Sequence, residues 1–403
     1  MQFPYICRVG RLCTLIVLLT TVQTVGAAER TTIDVARFAG FLGKEQRIEN
    51  FRRTDLTFPQ AVIRSPQNKS PFAEQQRDLN EDYKWRGKQQ DLAAFLDRSV
   101  TTSLLVVHDD ALVSENYFRG YDNDSLCTSM SVAKSFISGL IGTTVADGSI
   151  KSIDDPVTDY VAALKGSGYD GVPIKHVLQM SSGIDFSEEY DDLESDINLV
   201  MAHLAGGGSI VDYVRNLKSK GPSGKTYYYA SVDTQVLAML LEQVTGKSVA
   251  TLIEERIWQP LGMESDATWC LDNHGDEIAF AFLNAAPRDY AKFGRLFLNR
   301  GHSNGHRILP QSWVKDSITP DKDYLRLKDL YVPGWDIGYQ YQWWVPAGDS
   351  GEFTGIGVWG QYLYVNPRHR TIIVKTSVDP EFHTRDMETI AVFRSIVSHY
   401  SGQ

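Results

Sequence analysis

A serine and a lysine three positions apart, Ser131 and Lys134, are the residues of this chain best suited to chemistry. On a helix this spacing puts a hydroxyl and an amine on one face, about one turn apart. A serine hydroxyl is a weak nucleophile until a neighbouring base removes its proton. Lysine can be that base near pH 7 only if its pKa falls from about 10.4 by roughly 3, which burial can achieve. The pair predicts a nucleophile with its own base, although a solvated lysine at a helix start shows the same spacing.

A second candidate is Tyr229, which lies in a run of three tyrosines between a turn rich in glycine and proline and a predicted helix. Residues at loop tips often carry function because a rigid scaffold positions them. A phenol hydrogen-bonded to a lysine of lowered pKa can pass protons as an acid and as a base. We therefore predict that Tyr229 belongs to the catalytic group, whereas Tyr227 and Tyr228 pack along a wall.

The third candidate is the segment Thr354-Gly355-Ile356, which leads into a predicted strand. A Thr-Gly pair at a strand edge leaves backbone N–H groups free to face a substrate, although glycine can also serve only to relieve crowding at a bulge. Backbone donors aimed at a developing oxyanion contribute about 3–4 kcal/mol each. We assign this role to the amides of Ser131 and Ile356. Substrate binding is assigned to Ser231, Thr354 and Gly355.

The composition is that of an acidic protein with enough hydrophobic residues for a large core. The chain has 403 residues, 42% of them hydrophobic, and a net charge of −10. This charge argues against nucleic acid or an anionic membrane as a partner. We expect a small-molecule partner instead, and the sequence specifies no oligomeric state.

The first 28 residues are typical of a secretory signal peptide. Arg8 and Arg11 form a positive segment, the stretch from Leu12 to Val22 is apolar, and small residues up to Ala28 suit cleavage. The apolar run is short for a membrane span, and no later stretch reaches about 18 apolar residues. An uncleaved N-terminal anchor is the alternative. We expect cleavage, which gives a secreted or periplasmic protein without a stable membrane anchor.

Two cysteines, Cys127 and Cys270, remain once the signal peptide is removed. An oxidising compartment permits a disulfide between them. The sequence does not specify their separation, and two partly buried free thiols fit equally well. The chain has no set of cysteines and histidines with zinc spacing. His302 and His306 are four residues apart, but they flank a Ser-Asn-Gly turn and are expected at the surface. We expect no metal and no cofactor.

The elements that must position these candidates come from both ends of the chain. Residues 29–98 form a polar N-terminal arm without clear periodicity, and the segments 103–117 and 360–375 show the pattern of β-hairpins. Residues 150–300 are predicted to be mostly helical, and an amphipathic helix over 386–400 closes the chain. We predict an α+β fold, an α/β sandwich. Its antiparallel sheet is built from N- and C-terminal segments and flanked by helices, with an inserted, mostly helical lobe.

The three candidate segments, in the order Ser131, Tyr229 and Thr354, resemble the serine hydrolases of the penicillin-recognising fold. This group includes class C β-lactamases, DD-peptidases and related esterases, and the 6-aminohexanoate-dimer hydrolases are the more similar members. The resemblance runs from about residue 100 to the C-terminus and implies that residues 99–403 are one serine hydrolase domain of the β-lactamase type. The matching stretches are Tyr229 to Leu237, Thr354 to Pro367, Gln342 to Trp344, Ile184 to Tyr190 and Arg288 to Leu296.

The resemblance implies roles for individual residues. Ser131 would be the acyl-enzyme nucleophile, Lys134 its general base and Tyr229 the proton donor to the leaving group. Tyr190 falls where the nylon-oligomer amidases place a tyrosine that holds the substrate amide. The segment after it, residues 191–197, departs from the amidase pattern, which puts oligoamide specificity in question but not acyl transfer.

A further departure concerns β-lactams. Members of the group usually carry Lys or His just before the Thr-Gly pair, where it meets the substrate carboxylate, but here that residue is Phe353. We therefore predict weak β-lactam turnover. The expected activity is hydrolysis of small amides or esters, with a carboxylesterase, a weak β-lactamase or a DD-peptidase as alternatives. A non-catalytic binding or sensor protein on the same fold is the alternative from a different class.

Overall fold

The computed structural model describes residues 30–43, 46–79, 82–330 and 333–402. The predicted signal peptide, residues 1–28, lies outside the described residues. Within those ranges no single helix is both long enough and apolar enough to cross a membrane. The helical segments Ser231–Thr245 and Val249–Trp258 meet the length and composition criteria only as a pair, bent by 77°.

The helices and strands follow one another along the whole described chain. The strands, in chain order, are β1 (Gln60–Ile63), β2 (Ala73–Glu74), β3 (Asp82–Trp85), β4 (Lys88–Asp91), β5 (Thr101–His108), β6 (Ala111–Tyr117), β7 (Cys127–Thr128), β8 (Ala267–Cys270), β9 (Leu283–Ala285), β10 (His302–Ser303), β11 (His306–Arg307), β12 (Arg326–Leu327), β13 (Ile337–Gln340), β14 (Trp343–Pro346), β15 (Phe353–Gly357), β16 (Gln361–Asn366) and β17 (Thr371–Ser377). The helices are α1 (Val35–Ala39), α2 (Arg47–Arg52), α3 (Leu92–Arg98), α4 (Ala133–Ala146), α5 (Ile174–Leu178), α6 (Asp196–Ala205), α7 (Ile210–Asn216), α8 (Ser231–Thr245), α9 (Val249–Ile253), α10 (Pro287–Leu298), α11 (Gln311–Ser317) and α12 (Phe382–Ser401).

A central sheet joins the two ends of the chain. In the described part of the chain it has nine strands, in the order β12-β13-β14-β15-β16-β17-β5-β6-β2. Neighbouring strands are antiparallel except for the parallel pair β2 and β6. The link between the C-terminal and N-terminal segments is the pairing of β17 with β5, in which Val374 lies opposite Leu105. The prediction of an antiparallel sheet assembled from distant segments is therefore confirmed.

Alternating side chains of this sheet contribute to two cores. On β16, Leu363 and Val365 pack on the side of α4 and α10, whereas Tyr362 and Tyr364 pack on the other side, as the two-residue period of a strand requires. The tyrosines contact Phe393 of α12, with ring centroids 5.4 and 5.2 Å apart. Helices α5 to α9 form the predicted helical lobe between β7 and α10. The α/β sandwich is confirmed.

A second, smaller sheet holds the segment that carries Ser131. Its four strands lie in the order β1-β8-β9-β7. Strand β7 pairs with β9 through Cys127 and Ala285, and the chain then turns directly through Met130–Val132 into α4. The first residues of α4 are therefore positioned by a sheet whose other strands come from residues 60–63 and 267–285.

The segment predicted as a polar arm is built into the core. Phe41 and Phe58 are buried, and the ring of Phe58 lies 4.9 Å from that of Phe282. The guanidinium of Arg47 lies 3.6 Å above the ring of Trp359, in the loop that follows β15. These contacts, together with strand β1, attach this segment to the core formed by the later part of the chain.

The two cysteines are buried free thiols. Burial raises the pKa of both Cys127 and Cys270 to about 12, so neither thiol is reactive at neutral pH. Of the two alternatives left open above, the structure shows the free thiols. His302 and His306 lie in the short β10–β11 hairpin. In the described ranges, no group of three or more His, Cys, Asp or Glu side chains is placed to hold a metal ion.

Replacing Phe58 by alanine tests whether the arm stabilises the fold. We expect Phe58→Ala to lower the free energy of unfolding by about 3–5 kcal/mol, because it leaves a cavity beside Phe41 and Phe282. Urea denaturation followed by circular dichroism measures the change. The control is Val35→Ala on α1, whose side chain is 59% exposed and whose loss we expect to cost less than about 0.5 kcal/mol. Equal effects of the two substitutions would contradict a core role for the arm.

Candidate active site

Ser131 lies in the short 3-10 turn Met130–Val132 that joins β7 to α4. Met130 has a φ of 43°, a left-handed conformation that costs a residue other than glycine about 1–3 kcal/mol. The N–H of Ser129 donates to the carbonyl of Leu283 at 2.7 Å. The turn is thus held in a strained conformation by the strand pairing around it, and it presents Ser131 to a cavity.

Lys134, in the first turn of α4, is 1% exposed. Its Nζ lies 2.8 Å from Oγ of Ser131, 3.1 Å from Oγ of Ser231 and 2.9 Å from the carbonyl oxygen of Phe280. Burial lowers the pKa of Lys134 to about 7, while the carboxylate of Glu188 acts to raise it. The amine is therefore partly neutral near pH 7, which is the condition for accepting the proton of Ser131.

Glu188, a carboxylate to which the sequence analysis gave no role, extends this cluster. Its Oε1 accepts hydrogen bonds from Oγ of Ser231 at 2.5 Å and from the hydroxyl of Tyr190 at 2.7 Å. Its Oε2 accepts from the N–H of Ser231 at 2.9 Å. Burial raises the pKa of Glu188, and the nearby charge of Lys134 lowers it. Ser231 thus connects the buried amine to the carboxylate.

Tyr229 reaches the same cavity from the loop before α8. The loop is anchored by a 2.7 Å hydrogen bond from the N–H of Tyr228 to the carbonyl of Met180. The ring of Tyr229 stacks on Trp344 at a centroid distance of 5.7 Å, and Nζ of Lys134 lies 5.1 Å from its centroid. The structure therefore brings together the three residues predicted to be catalytic, although they come from different elements.

Strand β15 runs close against the turn that carries Ser131. A Cβ atom on Gly357 would lie 2.6 Å from the carbonyl oxygen of Ser129 and 3.0 Å from the nitrogen of Ser131. Only glycine allows this approach, because both contacts are with backbone atoms. The next residue towards the start of the strand, Ile356, lines the cavity. The geometry suits the predicted pair of oxyanion donors, the amides of Ser131 and Ile356.

The other residues assigned on β15 are buried and are not among the described residues that line the cavity. Thr354 is fully buried and donates its hydroxyl to the carbonyl of Gly355 at 3.0 Å. A Cβ on Gly355 would lie 3.2 Å from Val132 of the nucleophile turn. Phe353 packs into the core with its ring 5.1 Å from Trp343. Among the described lining residues, strand β15 contributes Ile356, and the assignment of Thr354 and Gly355 to substrate binding stays a prediction.

Ser231 connects two ionisable groups of the site. Its side chain is 2% exposed, and its hydroxyl is engaged by Lys134 and Glu188. This geometry suits positioning of the two groups, and the predicted contact of Ser231 with a substrate stays a prediction. Tyr190, by contrast, lies on the cavity wall, as a substrate-contacting residue must, and its hydroxyl bonds Glu188.

The cavity above Ser131 is open and has a volume of about 560 Å³. This volume suits a small organic substrate. Its wall is largely aromatic, with acidic side chains. The described lining residues are Ser131, Glu188, Glu189, Tyr190, Asp191, Tyr227, Tyr228, Tyr229, Leu330, Trp335, Trp344, Ile356, Val358, Phe382, His383 and Asp386.

Comparison with known proteins agrees with this geometry. The profile of the beta-lactamase family matches residues 89–392. The chain belongs to the beta-lactamase family. Over 306 residues it is 31% identical to the 6-aminohexanoate-dimer hydrolase of Paenarthrobacter ureafaciens, covering 73% of this chain and 77% of that protein. This beta-lactamase-family chain is a serine hydrolase.

Two solved structures extend the comparison. One, from Bacillus anthracis, bears the provisional name 6-aminohexanoate-dimer hydrolase. It superposes with a TM-score of 0.82 at 27% identity, covering 90% of this chain and 96% of that chain. A family VIII carboxylesterase superposes with a TM-score of 0.56 at 18% identity, covering 75% of this chain and 95% of that one, which shows the shared fold.

Substitution of Gly357 tests the close approach of β15 to the nucleophile. We expect Gly357→Ala to lower kcat for an activated ester by up to about 10²–10³-fold, the loss typical of one oxyanion donor, because the new Cβ displaces the strand. The control is Gly221→Ala, since no atom lies within 4 Å of a Cβ built at Gly221. Steady-state kinetics with p-nitrophenyl acetate measures both. A folded Gly357→Ala protein with unchanged kcat would contradict the predicted position of the donors.

Proposed function

We propose that this chain is an exported serine hydrolase that cleaves small amides or esters through an acyl-enzyme formed on Ser131. The observation that carries the proposal is the buried amine of Lys134, 2.8 Å from Oγ of Ser131 and with a pKa of about 7, beneath an open cavity. Export is supported by the sequence of residues 1–28, with its positive and apolar segments.

Acylation uses three groups of the site. The neutral amine of Lys134 takes the proton of Ser131 as Oγ attacks the substrate carbonyl. The negative charge that develops on the carbonyl oxygen is stabilised by the amides of Ser131 and Ile356. The bond to the leaving group then breaks as the hydroxyl of Tyr229 protonates it. The proton held by Lys134 restores Tyr229, so both side chains return to their starting states.

Deacylation repeats these steps with water in place of the serine. The Lys134 and Tyr229 pair removes a proton from water, which attacks the ester carbonyl of the acyl-enzyme. Collapse of the second tetrahedral intermediate breaks the bond to Ser131 and returns the proton to Oγ. The products are a carboxylic acid and an amine or alcohol, and the enzyme is regenerated.

The substrate class is an amide or an ester of modest size. The relative with 31% identity is named for hydrolysis of an amino-acid dimer, which supports an amide. The fold shared with a carboxylesterase makes an ester the second candidate. The buried position of Phe353 among core aromatics provides no cation for a β-lactam carboxylate, which supports weak β-lactam turnover.

Covalent labelling tests the proposed nucleophile. We expect a fluorophosphonate to modify Ser131 alone, and we expect Ser131→Ala to abolish both labelling and turnover of p-nitrophenyl esters. The matched control is Ser138→Ala, a buried serine further along α4, which we expect to remain labelled at Ser131. Peptide mass spectrometry locates the adduct. A wild-type protein that is neither labelled nor active on any acyl chain length would favour a non-catalytic binding protein.

The pH dependence of hydrolysis tests the role of Lys134 as base. Because the amine must be neutral, we expect kcat/KM for an uncharged ester to rise with pH through a pKa of about 7. The charge of Glu188 raises the pKa of Lys134, so Glu188→Gln should move this rise to lower pH. A purely structural role of Glu188 would reduce kcat/KM without moving the curve. An unmoved curve, or a shift to higher pH, would contradict the proposed coupling.

A further inference from the structure

The turn that joins β15 to β16, residues 358–360, has an unusual backbone conformation. Trp359 at its centre has a φ of 66°, a left-handed conformation that a residue other than glycine keeps only where its surroundings enforce it. The turn continues the strand that carries Ile356, and Val358 itself lines the cavity. Whatever holds Trp359 therefore also holds the end of β15 that lies against Ser131.

Both ends of the chain hold Trp359. Its carbonyl oxygen accepts hydrogen bonds from Oγ of Ser377 at 2.7 Å and from the N–H of Asp379 at 3.0 Å. Its indole ring is held by the N-terminal segment, because the guanidinium of Arg47 on α2 lies 3.6 Å from the ring centroid. The ring of Phe51, on the same helix, meets the indole edge-on at 6.4 Å. The C-terminal contacts thus fix the backbone of the turn, and the N-terminal contacts fix its side chain.

Arg47 is itself fixed by the fold. It is 8% exposed, and its guanidinium donates to the carbonyl of Leu42 from Nε at 3.1 Å and from Nη2 at 2.5 Å. Nη1 donates to the carbonyl of Val378 at 3.5 Å, next to the residue that bonds the Trp359 carbonyl. A guanidinium over an indole, shielded from water, gains from the attraction between a cation and the face of the ring. Arg47 therefore ties the N-terminal segment both to the indole and to the backbone beside the turn.

Trp359 also contacts the cavity wall. Its ring lies 5.7 Å from that of Phe382, the first residue of α12. Phe382 lines the cavity, and its ring is 6.5 Å from that of Tyr190, another lining residue. The indole thus connects Arg47 to two elements that line the cavity, the end of β15 and the start of α12.

We propose that Arg47 is a positioning residue of the active site. It holds the indole of Trp359 and thereby fixes the turn that sets the positions of the Ile356 amide and of Phe382. This inference rests on the proposed function, because it concerns an oxyanion donor of the same site. Such donors act only when they are fixed in advance, and a displacement of about 1 Å can lower a rate by about 10²-fold. The beta-lactamase profile begins at residue 89, so Arg47 belongs to a part of the chain that the profile does not match.

Steady-state kinetics of Arg47→Ala with p-nitrophenyl acetate tests the positioning. We expect kcat to fall about tenfold and KM to stay within about twofold, because the lost stabilisation acts on charge that develops only in the transition state. The control is Asn50→Ala on the same helix, a buried residue whose side chain donates to the carbonyls of Gly40 and Phe41. We expect this variant to lose stability but to keep its kcat. Equal losses of kcat in the two variants, or an unchanged kcat in folded Arg47→Ala protein, would overturn the proposal.

A double-mutant cycle tests whether Arg47 acts through Trp359. We expect Trp359→Ala to lower kcat about as much as Arg47→Ala does, and the combined variant to be no slower than either single variant, because the two residues share one contact. Losses that multiply in the combined variant would show that the two side chains act independently and would overturn the proposed route.

Amide hydrogen exchange, followed by mass spectrometry, separates this inference from the proposed function. We expect Arg47→Ala to speed deuterium uptake in peptides covering residues 356–361 by about tenfold, because the turn opens more often without the contact, and we expect Asn50→Ala to leave this uptake unchanged. Esterase activity that depends on Ser131, combined with unchanged uptake and kcat in Arg47→Ala, would overturn the positioning role and leave the hydrolase intact. Faster uptake in Arg47→Ala alone, without any esterase activity in the native protein, would overturn the hydrolase and support the hold of Arg47 on the turn.

Discussion

The buried amine of Lys134 is the interaction on which the rest of the site depends. Enclosure makes the charged form costly, and the surrounding oxygens of Ser131, Ser231 and Phe280 hold the nitrogen in place without adding a formal charge. The carboxylate of Glu188 supplies a negative charge that favours the protonated amine, and it is connected to the amine through the hydroxyl of Ser231. The balance between burial and this carboxylate brings the pKa to about 7, where a lysine can act as both base and acid.

The groups of the candidate site are carried by different elements. Strand β7 and the strained turn at Met130 deliver Ser131, the loop before α8 delivers Tyr229, and β15 brings Ile356 alongside through the glycine at 357. The N-terminal segment supports this arrangement from behind, because Arg47 packs on Trp359 in the loop after β15.

The residues that line the cavity differ in kind from the features that the chain shares with its family. Membership in the beta-lactamase family accounts for the fold and for the class of serine hydrolase. The described residues that line the cavity are of another kind, since they are mainly tyrosines and tryptophans with acidic side chains among them. Phe353, which precedes the Thr-Gly pair, belongs to the core. Chemistry and selectivity thus depend on different parts of the chain.

The sequence by itself determined the features that depend on local geometry. The spacing of Ser131 and Lys134 places hydroxyl and amine together because a helical turn repeats every three to four residues. The hairpins followed from two-residue alternation, and the antiparallel sheet built from both ends of the chain followed from the strands that flank the helical middle segment. Only the tertiary structure decided that Glu188 reaches the lysine through Ser231, that Thr354 is fully buried, and that Phe41 and Phe58 of the N-terminal segment pack into the core. These contacts join segments far apart in the chain, and their partners are selected by packing of the whole fold rather than by any local pattern.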